Sequence, residues 1–146
     1  NTSDEFHKKA GEVDEKISEE NAKEKFTQFL KNIDNLALRK EYGKAFVLLE
    51  KIKNPEEMYN FLIKYSSAFE KENVMRENVA DWFEITGELF LEQAKKIKEP
   101  GKREATKDLA IECLHQTLQW LRASPKPVHP KKIERILFRL EEIQGD

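Results

Sequence analysis

The feature that most constrains the fold is the spacing of the apolar residues, which recur every three or four positions along most of the chain. Between Phe26 and Ala37 this spacing places the apolar side chains on one helix face, because an α-helix has about 3.6 residues per turn. The same spacing returns at 58–69 and at 109–121. No stretch alternates between apolar and polar residues as a half-buried strand does. The sequence therefore predicts an all-α fold.

Residues that form turns and caps divide the chain into about five to seven helices. Asn54 is suited to cap a helix that begins with Pro55, because proline needs no amide partner at the first helical position. Pro100 and Gly101 end the longest predicted helix, because proline lacks an amide donor and disfavours helix in the residue before it. Gly43 is the predicted turn residue between the first two helices. The predicted helices lie near 19–40, 44–53, 55–71, 74–98, 102–123 and 130–143.

The predicted organisation is a single all-α domain over residues 19–146, built of antiparallel helical hairpins. It follows a polar, loosely ordered segment at 1–18. The chain has 146 residues, enough for one domain with its own core, and its 37 % charged residues fit amphipathic helices. No run of about 18 apolar residues is present, so we expect no membrane-spanning helix and no membrane partner.

The stretch IECLHQ, at 111–116, contains the only cysteine, Cys113, and one of three histidines, His115. Glu112 and His115 have the Glu-x-x-His spacing of metal-binding helical bundles, but no second copy of the motif is present. Cys113 falls on the apolar stripe, where cysteine behaves as a small apolar residue. We therefore expect no catalytic residue, no metal ligand and no cofactor. A lone cysteine cannot form an internal disulfide, which favours the cytoplasm.

Charge is distributed unevenly along the chain. Residues 1–94 carry 14 Lys/Arg and 20 Asp/Glu, whereas residues 95–139 carry 12 Lys/Arg and 5 Asp/Glu. Glu84, Glu88 and Glu92 form an acidic row on one helix, either a solvated face or a docking strip for a basic peptide. The basic part is either solvated surface or a face for an acidic protein or for phosphates.

Two segments carry aromatic, small and large apolar residues at the positions of a known helical hairpin. In the first, the matching residues are Phe29, Leu36, Tyr42, Ala45, Leu49 and Ile52. In the second, they are Phe83, Gly87, Phe90, Ala110 and Leu114. This pattern, over about 26–123, resembles the tetratricopeptide repeat. It departs from that repeat at Ile33, where glycine is expected, and in the late second helix of the second segment.

The resemblance implies a groove that binds protein segments, without catalysis. A compact irregular helical bundle is the alternative architecture. We expect a non-enzymatic protein-interaction module or a scaffold subunit of a larger assembly; a small helical subunit of a nucleoprotein complex, binding RNA or DNA, is the alternative function. Opposite charge at the two ends permits a homo-oligomer. The predicted contact residues are Lys98, Lys102, Arg103, Lys132, Arg135 and Arg139.

Overall fold

The computed structural model describes the backbone of residues 2–72, 76–123 and 129–145, and the side chains of these ranges from Ser18 onward. In this part of the chain there are seven helices and no strand, which confirms the all-α prediction. The helices are α1 Thr2–Leu38, α2 Tyr42–Ile52, α3 Pro55–Lys64, α4 Ser66–Lys71, α5 Arg76–Lys96, α6 Pro100–Arg122 and α7 Pro130–Gly145.

The chain divides into two compact units, residues 1–51 and residues 52–146, where the sequence predicts one domain over 19–146. The first helix also begins at Thr2 rather than near residue 19. The side chains of 1–17 lie outside the described part of the structure. The prediction that residues 1–18 are loosely ordered therefore stays a prediction. The six predicted contact residues all belong to the second unit.

In the first unit, α1 and α2 are joined by a tight turn at Lys40. The amide of Glu41 donates to the Leu36 carbonyl at 2.9 Å, and the amide of Lys40 donates to the Ala37 carbonyl at 3.0 Å. This is the paired bonding of a Schellman helix end, which places one residue in the left-handed region. That residue is Lys40, with a φ of 64°, whereas the predicted turn residue Gly43 lies inside α2.

We expect Lys40→Gly to raise the free energy of unfolding by about 1 kcal/mol, because glycine adopts left-handed backbone angles without the steric cost of a Cβ atom. Thermal or chemical denaturation measures the change. Lys40→Ala is the matched control, since it removes the same side chain and keeps the Cβ. An equal rise in the free energy of unfolding of both variants would mean that the loss of the lysine side chain, and not the backbone angle, causes the stabilisation.

The first helix of the second unit, α3, begins at the predicted cap. The Asn54 side chain accepts a hydrogen bond from the amide of Glu57 at 3.1 Å, and Pro55 occupies the first position of α3. The predicted helix over 55–71 is divided at Tyr65, whose φ of −102° and ψ of 7° are not helical. There the Ser66 hydroxyl donates to the Leu62 carbonyl at 2.6 Å, a local bond that competes with regular helix bonding.

The core of the second unit is centred on the antiparallel pair of α5 and α6. Gly87 of α5 lies directly on α6, where an added Cβ would be 3.2 Å from both the Ala110 carbonyl oxygen and the Cys113 Cβ. The absence of a side chain lets the two helices approach closely. Phe90 and Leu91 of α5 continue this core, and α7 covers it with Ile136, Leu140 and Ile143.

Gly87→Ala should lower the free energy of unfolding by about 1–2 kcal/mol, because the new methyl group would push against backbone and Cβ atoms that cannot rotate away. Gly43→Ala is the control. Gly43 is also helical, but nothing lies within 4 Å of an added Cβ, so alanine should stabilise the helix slightly there. Denaturant unfolding compares the two variants, and a stabilised Gly87→Ala would contradict the close packing of α5 on α6.

Candidate interaction surface

The structure separates the six predicted contact residues into two groups. Lys132, Arg135 and Arg139 lie on α7 and face the acidic row of α5. Lys98, Lys102 and Arg103 lie at the turn between α5 and α6, on the exposed surface. The two groups have different electrostatic surroundings.

The first group forms a ladder of ion pairs between α5 and α7. Lys132 pairs with Asp81, Arg135 with Glu84 and Arg139 with Glu88, and in each pair the partners are 51 residues apart. A constant separation means that the two helices run parallel and in register. We refer to these three pairs as the α5–α7 ladder.

The geometry of the ladder is that of charge-assisted hydrogen bonds. Arg139 donates from Nε to Glu88 Oε1 at 2.9 Å and from Nη2 to Oε2 at 3.0 Å, a two-bond fork. Arg135 donates from Nη2 to the two carboxylate oxygens of Glu84 at 2.8 Å and 2.9 Å. The Lys132 side chain is 17 % exposed, the least exposed of these cations, and also lies 3.7 Å from Glu77.

The N-terminal end of the ladder continues to His129, the residue before α7. Its Nε2 lies 3.2 Å from Glu77 Oε2. His129 has a φ of 76°, so it adopts a left-handed conformation that is sterically costly for a residue with a Cβ. The contact with Glu77 helps to hold the start of α7 against the start of α5.

The ladder accounts for both the acidic row of α5 and the basic row of α7. The acidic row of α5 and the basic row of α7 were each candidates for docking an outside partner, yet Glu84 and Glu88 bind Arg135 and Arg139 of the same chain. Sequence reasoning missed this pairing because it does not show which helices are neighbours. A repeated separation of 51 residues between acidic and basic positions was the available signal.

The second group belongs to a cluster that we call the basic turn: Lys95, Lys96, Lys98, Lys102 and Arg103, all of them exposed. Residues 95–103 contain a single carboxylate, Glu99. Its Oε2 lies 3.7 Å from Lys102 Nζ, and both side chains are largely exposed, so the attraction is weak. Arg103 donates to the Lys98 carbonyl oxygen at 3.1 Å, which ties the turn to the first turn of α6.

Cys113 and His115 of the stretch IECLHQ lie in different surroundings. Cys113 is completely buried, and burial, with a smaller contribution from Glu112, raises the pKa of its thiol to about 12. Glu112 accepts a hydrogen bond from Gln116 at 3.2 Å, and His115 is exposed. Because the thiolate is the nucleophilic form of cysteine, Cys113 is unreactive at neutral pH. Among the described residues, no three His, Cys, Asp or Glu side chains are placed to hold a metal ion.

Comparisons with protein-family models, with curated proteins and with solved structures find no match for this chain. None of the helices in the described ranges has the length and apolar character needed to cross a membrane. The function must therefore be inferred from the exposed side chains and their electrostatics.

We expect the Glu88–Arg139 pair to contribute about 1 kcal/mol of coupling free energy, because its fork geometry is good but both side chains are partly exposed. A double-mutant cycle with Glu88→Gln and Arg139→Gln isolates this term from the contact of Arg139 with Glu142. Denaturant unfolding at low salt and at about 1 M salt gives the coupling and its screening. Zero coupling at low salt would show that the pair does not hold α7.

Proposed function

We propose that this chain is a non-enzymatic protein-interaction module, a scaffold subunit of a larger assembly, that binds an acidic segment of a partner protein through the basic turn. The observation that carries this proposal is the different placement of the two basic groups. The α7 cations Lys132, Arg135 and Arg139 bind carboxylates of α5, whereas the five cations of the basic turn are all exposed and residues 95–103 contain one carboxylate, Glu99.

The electrostatics of such a cluster favour recognition of carboxylates. Each exposed pair of opposite charges about 4 Å apart is worth about 1 kcal/mol in water, so several cations must act together to hold a partner. They also attract an acidic partner over a Debye length of about 10 Å and speed its association. Lys98, Lys102 and Arg103 are the proposed primary contacts, because they lie on either side of the same turn. Lys132, Arg135 and Arg139 would have to leave α5 before they bound a partner.

The tetratricopeptide-like reading of α5 and α6 is part of the same proposal. Its support is the contact of Gly87 with Ala110 and Cys113, since small residues at the helix crossing are what that repeat requires. The proposed localisation is the cytoplasm, on the ground that the lone thiol of Cys113 is buried and unpaired with another cysteine.

The nucleic-acid reading uses the same basic turn. Phosphates would attract these cations equally well, but residues 95–103 include no aromatic side chain on which a base could stack. Three of the six predicted contact residues, Lys132, Arg135 and Arg139, are already bound to carboxylates of α5. These two observations favour a protein partner over RNA or DNA.

The test is affinity capture from a lysate of the source organism, with the wild-type chain as bait beside the triple variant Lys98→Glu, Lys102→Glu, Arg103→Glu. We expect the variant to lose at least tenfold of the captured partner, since attraction becomes repulsion at three positions. The control is Lys23→Glu, Lys25→Glu, Lys31→Glu, which changes net charge equally at exposed positions of α1. Circular dichroism checks that both variants fold.

Two results would overturn the proposal. Equal loss in both triple variants would mean that total charge, and not the basic turn, controls capture. Loss of the partner after nuclease treatment of the lysate would support a nucleoprotein complex instead. Binding of the chain to a random oligonucleotide that decreases steeply with rising salt would support the same alternative.

A further inference from the structure

The solvent-facing side of α7 carries two large apolar residues that the fold does not bury. Phe138 is 63 % exposed and Leu137 is 42 % exposed. They are adjacent in sequence, and Glu134, Glu141 and Glu142 lie one helical turn before or after them, all exposed. We call these five residues the outer face of α7.

The outer face is separate from the two sides of α7 that hold the helix in place. Ile136, Leu140 and Ile143 are buried in the core of the second unit. Lys132, Arg135 and Arg139 point toward α5. With 100° between successive residues, Phe138 lies opposite the buried side, so its aromatic ring contributes nothing to the attachment of α7.

The charges around this apolar pair identify the chemistry that fits it. Glu134 lies one turn before Phe138, and Glu141 and Glu142 lie one turn after the pair. The contact of Glu142 with Arg139 is long, at 3.9 Å. Two exposed cations precede Phe138 on α7: Arg135, three residues before it, is bound to Glu84 of α5, and Lys131 lies seven residues before it. The surface is thus an apolar centre with an acidic rim, opposite in sign to the basic turn.

We infer that the outer face of α7 docks a basic amphipathic helix of a partner protein. The partner's apolar residues, spaced three or four apart, would cover Phe138 and Leu137, and its Lys or Arg side chains would reach Glu134, Glu141 and Glu142. Phe138 is the central contact, because aromatic side chains surrounded by polar residues dominate such interfaces. This surface is independent of the basic turn, and the chain would thereby connect two partners of opposite charge.

The test uses a fluorescein-labelled synthetic amphipathic helix of leucine and lysine as the probe, with a leucine–glutamate helix of the same length for comparison. Fluorescence anisotropy measures the binding of each to the full chain. We expect the basic helix to bind at least tenfold more tightly than the acidic helix, and Phe138→Ser to weaken its binding at least tenfold. Leu38→Ser is the matched control, because Leu38 is also exposed, at 71 %, but lies on α1.

A second variant separates the acidic rim from the apolar centre. Glu134→Lys with Glu141→Lys keeps Phe138 and Leu137 and should weaken the basic helix by a similar factor. Thermal unfolding confirms that each variant is folded. The inference is overturned if the basic helix does not bind, or if Phe138→Ser and Leu38→Ser bind it equally. It is also overturned if sedimentation shows that Phe138→Ser abolishes a dimer of this chain, since a second copy would then be the occupant.

Discussion

The parallel pairing of α5 with α7 is the interaction on which the surface of the second unit depends. Lys132, Arg135 and Arg139 each reach an acidic residue 51 positions earlier, and the apolar side of α7 enters the core at the same time. The apolar contacts supply most of the attachment, since partly exposed ion pairs contribute little individually. The ladder adds to this attachment on the side of α7 that faces α5.

Charge alone would not fix the register of α7. Glu92 extends the acidic row by another turn, so a slip of one turn would still give each cation a carboxylate. Such a slip would displace Ile136, Leu140 and Ile143 from their places in the apolar core of the second unit. The core therefore selects the register, and the ladder stabilises the helix that the core has placed.

The rotation of α7 decides which charges remain available to a partner. Lys132, Arg135 and Arg139 contact α5, whereas Glu134, Glu141 and Phe138 are exposed to solvent. Five further exposed cations lie at the turn between α5 and α6. The net charge of −2 conceals this separation. A molecule with one basic surface and one acidic apolar surface is suited to bring different proteins together, which is why a scaffold is the function we favour.

Local signals in the sequence were sufficient to predict many of the helices and some of their ends. Asn54 and Pro55 predicted a helix start because capping depends on neighbouring residues alone, and the apolar spacing predicted that Cys113 would be buried. The break at Tyr65 was missed, since the apolar spacing continues through it from Phe61 to Phe69. The turn at Lys40 was also missed, because glycine is the usual left-handed residue and Gly43 lies nearby.

The candidate site was less predictable than the fold, for a physical reason. Lys98, Lys102 and Arg103 lie together because they are close in sequence, and all three are exposed. Whether Lys132, Arg135 and Arg139 face solvent or α5 depends on the packing of helices that are far apart in sequence. No periodicity within one helix contains that information.

The most direct test of this account is a distance measurement between spin labels on α5 and α7 in solution. In a Cys113→Ala background, one label replaces Lys131, and the other replaces either Asn78 or Glu92. All three are exposed positions. Parallel helices in register predict that the label at 78 is the closer one, because 14 residues of α5 rise by about 21 Å. A shorter distance from 131 to 92 would mean that α7 does not run parallel to α5 and would contradict the α5–α7 ladder.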